Sequence, residues 1–330
     1  MQNSKKLNIA FSIARVFAII SVIAAHITLS EPHWVYKMIN AIGSIGVVVF
    51  IILSGYFYKP EKYDNIFGLI KDKFKSIVIP WVLMGSLAFL SGAIVTNSFS
   101  IKRWVTYILG YNSFLYYLPM LFLCYLIFFK QSKLIMLLSG ILTVASVYCT
   151  AFGFIDNIIK TIHITNYLNI LNWVGYFALG CVLRKVNKDK LYNFIKKSVF
   201  VFLPAAIIIY VLICVFDIKT GYFSFIGMPY QIISAFAIFS VSLWNVFDKK
   251  FMHIISNMTF TVYLVHIPLI GLLDVVFEMN ILTKLLSPVI ILAVTVFCLY
   301  IGYLIAKLIK LDKIYCRVAG LRIDRDIKSK

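Results

Sequence analysis

An arginine and a histidine close the two ends of residues 15–26, RVFAIISVIAAH, with no other ionisable residue between them. A guanidinium is always charged and holds anions; an imidazole, with a pKa near neutrality, moves protons. If the stretch is helical, the eleven steps from Arg15 to His26 turn about 1100°, roughly 20° past three turns. The two side chains then share one helix face, on the order of 16 Å apart along the axis. A helix facing lipid gains nothing from two polar groups in register. This one is expected to line a route.

Further polar residues interrupt apolar runs in the same manner, and ionisable groups inside a span mark functional sites by default. Residues 46–60, GVVVFIILSGYFYKP, place Ser54 and Gly55 about one turn before a basic loop. Gly55 permits close approach of a neighbouring helix or of a ligand, and both readings stand. Residues 256–270, SNMTFTVYLVHIPLI, put Ser256, Thr259, Tyr263 and His266 on one stripe at helical spacing. His266 is either a site residue or a histidine satisfied by a neighbouring helix. Pro268 leaves the carbonyl of Leu264 without its helical donor, a local opening for polar chemistry. Tyr116 and Tyr117 fit an aromatic belt as well as a sugar-stacking surface. His33, His163 and His253 fall in loops, where solvation is the default, and Asp274 and Glu278 are expected to face water.

The elements that must carry these residues are membrane spans. Of 330 residues, 62% are hydrophobic and only 14% charged, where a soluble domain is near half apolar and a quarter charged. Apolar segments recur at 7–29, 38–58, 76–97, 114–130, 134–152, 165–184, 198–217, 225–247, 255–275 and 285–309. Each approaches the ~20 residues that cross a ~30 Å hydrocarbon core. The expectation is an all-α, polytopic integral membrane protein of about ten transmembrane helices, a single domain over 1–330. The net charge of +19 is assigned to loops that stay cytoplasmic rather than to nucleic-acid binding. With both termini inside, 25 Lys and Arg fall on the inner side, six on the outer, and Arg15 lies within a span. That asymmetry predicts N-in/C-in.

The first apolar run is too long for a secretory signal and lacks a small-residue cleavage site, so it reads as an uncleaved span. Six scattered cysteines form no C-x-x-C pair, and neither a disulfide framework nor a metal site is expected. Phosphate-loop, H-E-x-x-H and G-x-S-x-G motifs do not occur.

Taken in order, the motifs form a pattern. Arg, ten residues and His in the first span precede GVVVFIILSGY, a basic loop closing on Ile79-Pro80, Gly180 in YFALGCVL and TFTVYLVHIP near the end. This order resembles the membrane-bound acyltransferase-3 family, bacterial O-acyltransferases of about ten spans that modify cell-surface glycans. The resemblance implies transfer of an acyl group, usually acetyl, from cytosolic acyl-CoA to a hydroxyl of an extracytoplasmic or lipid-linked sugar. It implies catalytic roles for Arg15 and His26, and donor binding by Arg15, Ser54 and Gly55. Tyr263, His266 and Tyr117 are candidate acceptor-binding residues. Where relatives often open the fourth span with Trp or His, this chain has Tyr116-Tyr117, a departure from the pattern. No metal is expected, and acetyl-CoA is the expected co-substrate. Some members carry a C-terminal esterase-like domain; none is expected here, so a partner protein completing extracellular transfer is one arrangement. On this reading His26 takes the hydroxyl proton and Arg15 holds a phosphate, the thioester oxygen or the pantetheine arm. The implied home is the bacterial cytoplasmic membrane. The alternative class is an exporter or flippase of a lipid-linked saccharide; a subunit that recruits glycan enzymes explains the Arg15–His26 register poorly.

Overall fold

In lipid every backbone N–H and C=O must find a partner within the chain, so apolar runs of this length fold as helices. The computed structural model describes residues 2–27, 33–111, 113–155, 161, 164–276 and 281–321. Among them all regular structure is helical. The helices are α1 (Gln2–Ala24), α2 (His33–Gly43), α3 (Gly46–Phe57), α4 (Ile66–Lys73), α5 (Ile79–Val95), α6 (Ile101–Ile108) and α7 (Tyr117–Ile127). They continue as α8 (Lys133–Ala151), α9 (Val174–Lys185), α10 (Lys188–Val215), α11 (Gly227–Val241), α12 (Lys250–Val276), α13 (Ile281–Leu308) and α14 (Asp312–Ala319). Seven helical stretches of the described residues are long and apolar enough to cross a membrane, with α2 joined to α3 and α4 to α5. The chain is a multi-pass membrane protein.

Every apolar segment read from the sequence contains helix, but three are shorter than a full crossing. Phe114–Ile127 and Gly227–Val241 are short apolar helices. In the segment 165–184, regular α-helix begins only at Val174. Polar side chains hold the preceding residues in two tight turns: Asn169 accepts from the Leu171 N–H, and Asn172 donates to the Asn166 carbonyl at 3.0 Å. Short polar side chains that bond nearby backbone compete with helix in this way.

The core is built around α1, twelve of whose residues are buried. α3 packs on α9 through glycines. A Cβ on Gly55 would lie 2.2 Å from the Phe177 carbonyl oxygen, and one on Gly180 2.0 Å from that of Ile52. α12 lies along α1, pinned where Ser256 donates to the Ser12 carbonyl at 2.6 Å. One end of the bundle gathers the basic loops. There Arg184 pairs with Glu61, Lys185 donates to the Gln131 carbonyl, and the Asn3 amide donates to Asp189. The opposite end holds the Lys37–Asp217 pair.

Candidate active site

The Ser12–Ser256 contact sets which residues of α1 and α12 meet one turn further along. It brings Arg15 on α1 to face Thr259 and Tyr263 on α12, across a cavity of about 290 Å³. Ser54 on α3 and Tyr117 on α7 form another part of the wall, their hydroxyl oxygens 3.4 Å apart. The half-buried Arg15 lays its guanidinium over the Phe57 ring, 4.6 Å from the centroid. Such stacking suits arginine better than lysine.

The mouth of the cavity lies at the basic end. Pro60 starts a tight turn through Lys62, and Asn65 caps α4 by accepting from the Gly68 N–H at 2.9 Å. Beyond α4 the chain widens into a π-helical turn, Phe74–Val78, in which the Ile79 N–H reaches back to the Phe74 carbonyl. Pro80 explains the widening: it has no N–H to donate to the preceding turn. The result places Lys73, Ser76 and Ile77 on the wall. Lys73 sits 4.1 Å from the Tyr125 ring centroid. Tyr63 donates to Asp72 at 2.5 Å, and Lys62 approaches the same carboxylate at 3.6 Å. Burial, with the bonded carboxylate second, pushes the Tyr63 hydroxyl above its ordinary pKa, so it stays a donor. The mouth is thus cationic and aromatic, with one acid already engaged.

Gly55 departs from its expected place. It is not on the cavity wall; its open face is filled by the backbone of α9, which comes too close for any side chain. The neighbouring Ser54 is what reaches the cavity.

His26 departs from the helix that was expected to carry it. α1 ends at Ala24, and His26 lies in the closing turn, its N–H bonded to the Ile23 carbonyl at 3.0 Å. The expected helical register therefore runs two residues too far. His26 nevertheless comes to the same side of α1 as α12. Its ring is 5.2 Å from that of His266 and 6.1 Å from that of Phe114, centroid to centroid. His266 is fully buried, one ring nitrogen 2.7 Å from the Tyr263 carbonyl and the other, Nε2, without a hydrogen-bond partner among the described residues. An orphaned buried acceptor costs on the order of 1–3 kcal/mol, so it calls for an explanation. The carbonyl released by Pro268 is not the one His266 uses; it turns back to Tyr263 instead.

Between the cavity and the histidines stands one layer of rings. Tyr117 and Tyr263 meet edge-on at 5.3 Å, and Phe114 touches Tyr263 at 5.7 Å and His266 at 5.1 Å. The Tyr263 hydroxyl donates to the Phe114 carbonyl, which ties α12 to the turn before α7. Arg15, Ser54, Tyr117 and Tyr263 thus share one cavity, and His26 and His266 lie beyond its end. Sequence reasoning singles out the basic loop but not Tyr58, Tyr63 and Tyr125 beside it. Their only signal is the alternation of Tyr and Lys in YFYKPEKYD, and Tyr125 lies too far along the chain to join that pattern.

Other candidates fall elsewhere. His253 lies in the first turn of α12 rather than in a loop, and pairs with Asp248 just before that helix at 2.8 Å. The side chains of His33, His163, Asp274 and Glu278 lie outside the described residues. All six cysteines remain thiols. Among the described residues no group of three or more His, Cys, Asp and Glu is arranged to hold a metal ion.

Comparison with known proteins gives the site a context. The chain is 25% identical over 244 residues to a "probable poly-beta-1,6-N-acetyl-D-glucosamine export protein" of Staphylococcus aureus strain MSSA476, covering 67% of each chain. The protein of the same description from strain Mu50 is 26% identical over 178 residues, half of each chain. No solved structure gives a significant match. The family model of the acyltransferase-3 domain, described as "Acyltransferase domain", matches residues 8–307, which include every residue of the cavity and both histidines. By that match the chain belongs to the acyltransferase-3 family.

Proposed function

We propose that this protein is a membrane-bound O-acyltransferase that moves an acyl group, acetyl as the first candidate, from cytosolic acyl-CoA to a hydroxyl of a cell-surface or lipid-linked glycan. The observation that carries the reading is the cavity itself. It joins a half-buried arginine to a cationic, aromatic mouth at one end and approaches an imidazole pair across a single layer of rings at the other. The basic end is assigned to the cytosol, N-in and C-in, in a bacterial cytoplasmic membrane of about ten spans.

In this reading Lys59, Lys62 and Lys73 meet the phosphates of the donor, and Arg15 and Ser54 hold its arm, so that the thioester extends past Tyr117 and Tyr263 toward His26. Tyr117 and Tyr263 line the passage toward the acceptor. Gly55 contributes by letting α9 seat closely, which turns Ser54 inward. His26 is partly exposed at the far end of α1 and meets the glycan. As its imidazole takes the hydroxyl proton, the oxygen attacks the thioester carbonyl. The C–S bond then breaks, and the proton passes to the departing sulfur.

A second reading has a specific observation behind it, since the similar staphylococcal proteins are described as export proteins. The cavity argues against it here. At about 290 Å³ it lies just below the range of ligand pockets, roughly 300–1,000 Å³. It suits an extended arm better than a polysaccharide.

Mass spectrometry of envelope glycans from cells with and without the gene separates the two readings. Loss of an acyl substituent on an otherwise normal polymer is the expected result; disappearance of the polymer itself would favour export. Orientation has its own test in a cysteine-free background. Ser98→Cys should react with an impermeant thiol reagent on intact cells, and Asp189→Cys and Lys249→Cys only after lysis. Labelling of Asp189→Cys on intact cells overturns the assignment.

A further inference from the structure

His266 is the buried group that the proposed mechanism leaves unused. Its surroundings dictate its state. Nδ1 lies 2.7 Å from the Tyr263 carbonyl, which only accepts, so in the neutral ring Nδ1 carries the proton. Nε2 is then a bare acceptor, fully buried and without a partner among the described residues. Phe114 packs against both imidazoles, so the two rings share one apolar compartment. The centroid separation of 5.2 Å is informative. An in-line N–H···N bond of about 3 Å puts two imidazole centroids on the order of 5 Å apart. The ring separation already suits such a bond, so a turn of the His26 ring that brings a nitrogen to face Nε2 would make it without moving either backbone. His26 stands in a turn beyond the helix end, and the second side-chain torsion of histidine is broad, so rotation of that ring is inexpensive.

We infer that His266 is a positioning residue for His26, its Nε2 accepting the N–H of the His26 ring. This rests on the reading of His26 as the base. The bond would fix the His26 tautomer, leaving the other ring nitrogen with its lone pair toward the acceptor hydroxyl. When that nitrogen takes the hydroxyl proton, the same bond steadies the imidazolium. His266 itself gains and loses no proton over the cycle. The arrangement is a chain in which the Tyr263 carbonyl orients His266 and His266 orients His26.

The test uses the full chain in liposomes with acyl-CoA as donor, comparing transfer per acyl-CoA-binding protein. Glutamine carries an acceptor oxygen near the position of Nε2; leucine fills the same space without one. His266→Gln should keep kcat within about tenfold, and His266→Leu should lose about 10²-fold, the scale of a misplaced catalytic group. The KM for acyl-CoA should move in neither. In a His26→Ala background, His266→Leu should add less than about threefold, because the residue it serves is gone. Parental kcat in His266→Leu, or an equal loss in both backgrounds, overturns the inference and leaves His266 a packing residue. Near-parental transfer by His26→Ala overturns the base assignment itself, whereas an inert His26→Ala beside a parental His266→Leu removes only the positioning role.

Discussion

The two ends of the route are built on opposite principles. At the basic end the groups are many, charged and partly wet: three lysines, Tyr63 and Asp72 around a mouth on the surface, with mutual contacts already made. At the far end they are few and close-packed, with a partly exposed and a fully buried imidazole beside one phenylalanine, and a buried nitrogen that has no hydrogen-bond partner among the described residues. A mouth of that kind tolerates change, because screened surface charges substitute for one another. The imidazole pair does not, because each of its nitrogens has one role and His266 is sealed from solvent. The contrast says where binding and where chemistry should be most sensitive to substitution.

The largest effect is expected at the imidazole end. His26→Ala should lower acyl transfer by about 10²–10⁴, the usual worth of a general base, with acyl-CoA binding nearly intact. Near-parental turnover per folded protein would erase the distinction between the two ends. Arg15→Lys comes next and should act on binding. It keeps the charge but loses the planar fork and its seat on Phe57, so acyl-CoA affinity should fall roughly 10–100-fold, on the scale of about 1.5–3 kcal/mol for a hydrogen bond to a charged group. Unchanged affinity, measured by titration calorimetry, would make Arg15 a structural residue. Smallest in its effect on chemistry is Gly180→Ala. It should destabilise the fold by about 1–3 kcal/mol through overpacking against the Ile52 carbonyl. Thermal unfolding in detergent should report that loss while turnover per folded molecule changes little; parental stability would show that α3 and α9 have slack.

Much of this is legible in the sequence, unevenly. The apolar runs mark the helical segments, and the stripe through Ser256, Thr259, Tyr263 and His266 holds because α12 continues unbroken through Pro268. Arg15 and Ser54 can be paired as neighbours at one end because helix periodicity and rise are reliable over a single span. His26 is harder. Nothing in AAHI announces a helix stop, since neither Gly nor Pro stands there, yet α1 ends at Ala24. Gly55 is ambiguous for a different reason. A glycine states that something comes close but not what, and only the position of α9 decides. The approach of Tyr125 to Lys73 joins residues with no sequence relationship at all.

The glycine contact between α3 and α9 has a mechanical meaning. Two helices whose backbones touch can neither slide nor rock without collision, so they act as a fixed post. Ser54 is mounted on that post, and its hydroxyl is a stationary reference for anything threading past it. The wall opposite is of softer make: it includes the π turn at Phe74–Val78, where the hydrogen-bond ladder is already loosened ahead of Pro80. On the proposed reading, the breathing that admits a long donor arm is expected in that leaf, with α3 and α9 as the jamb.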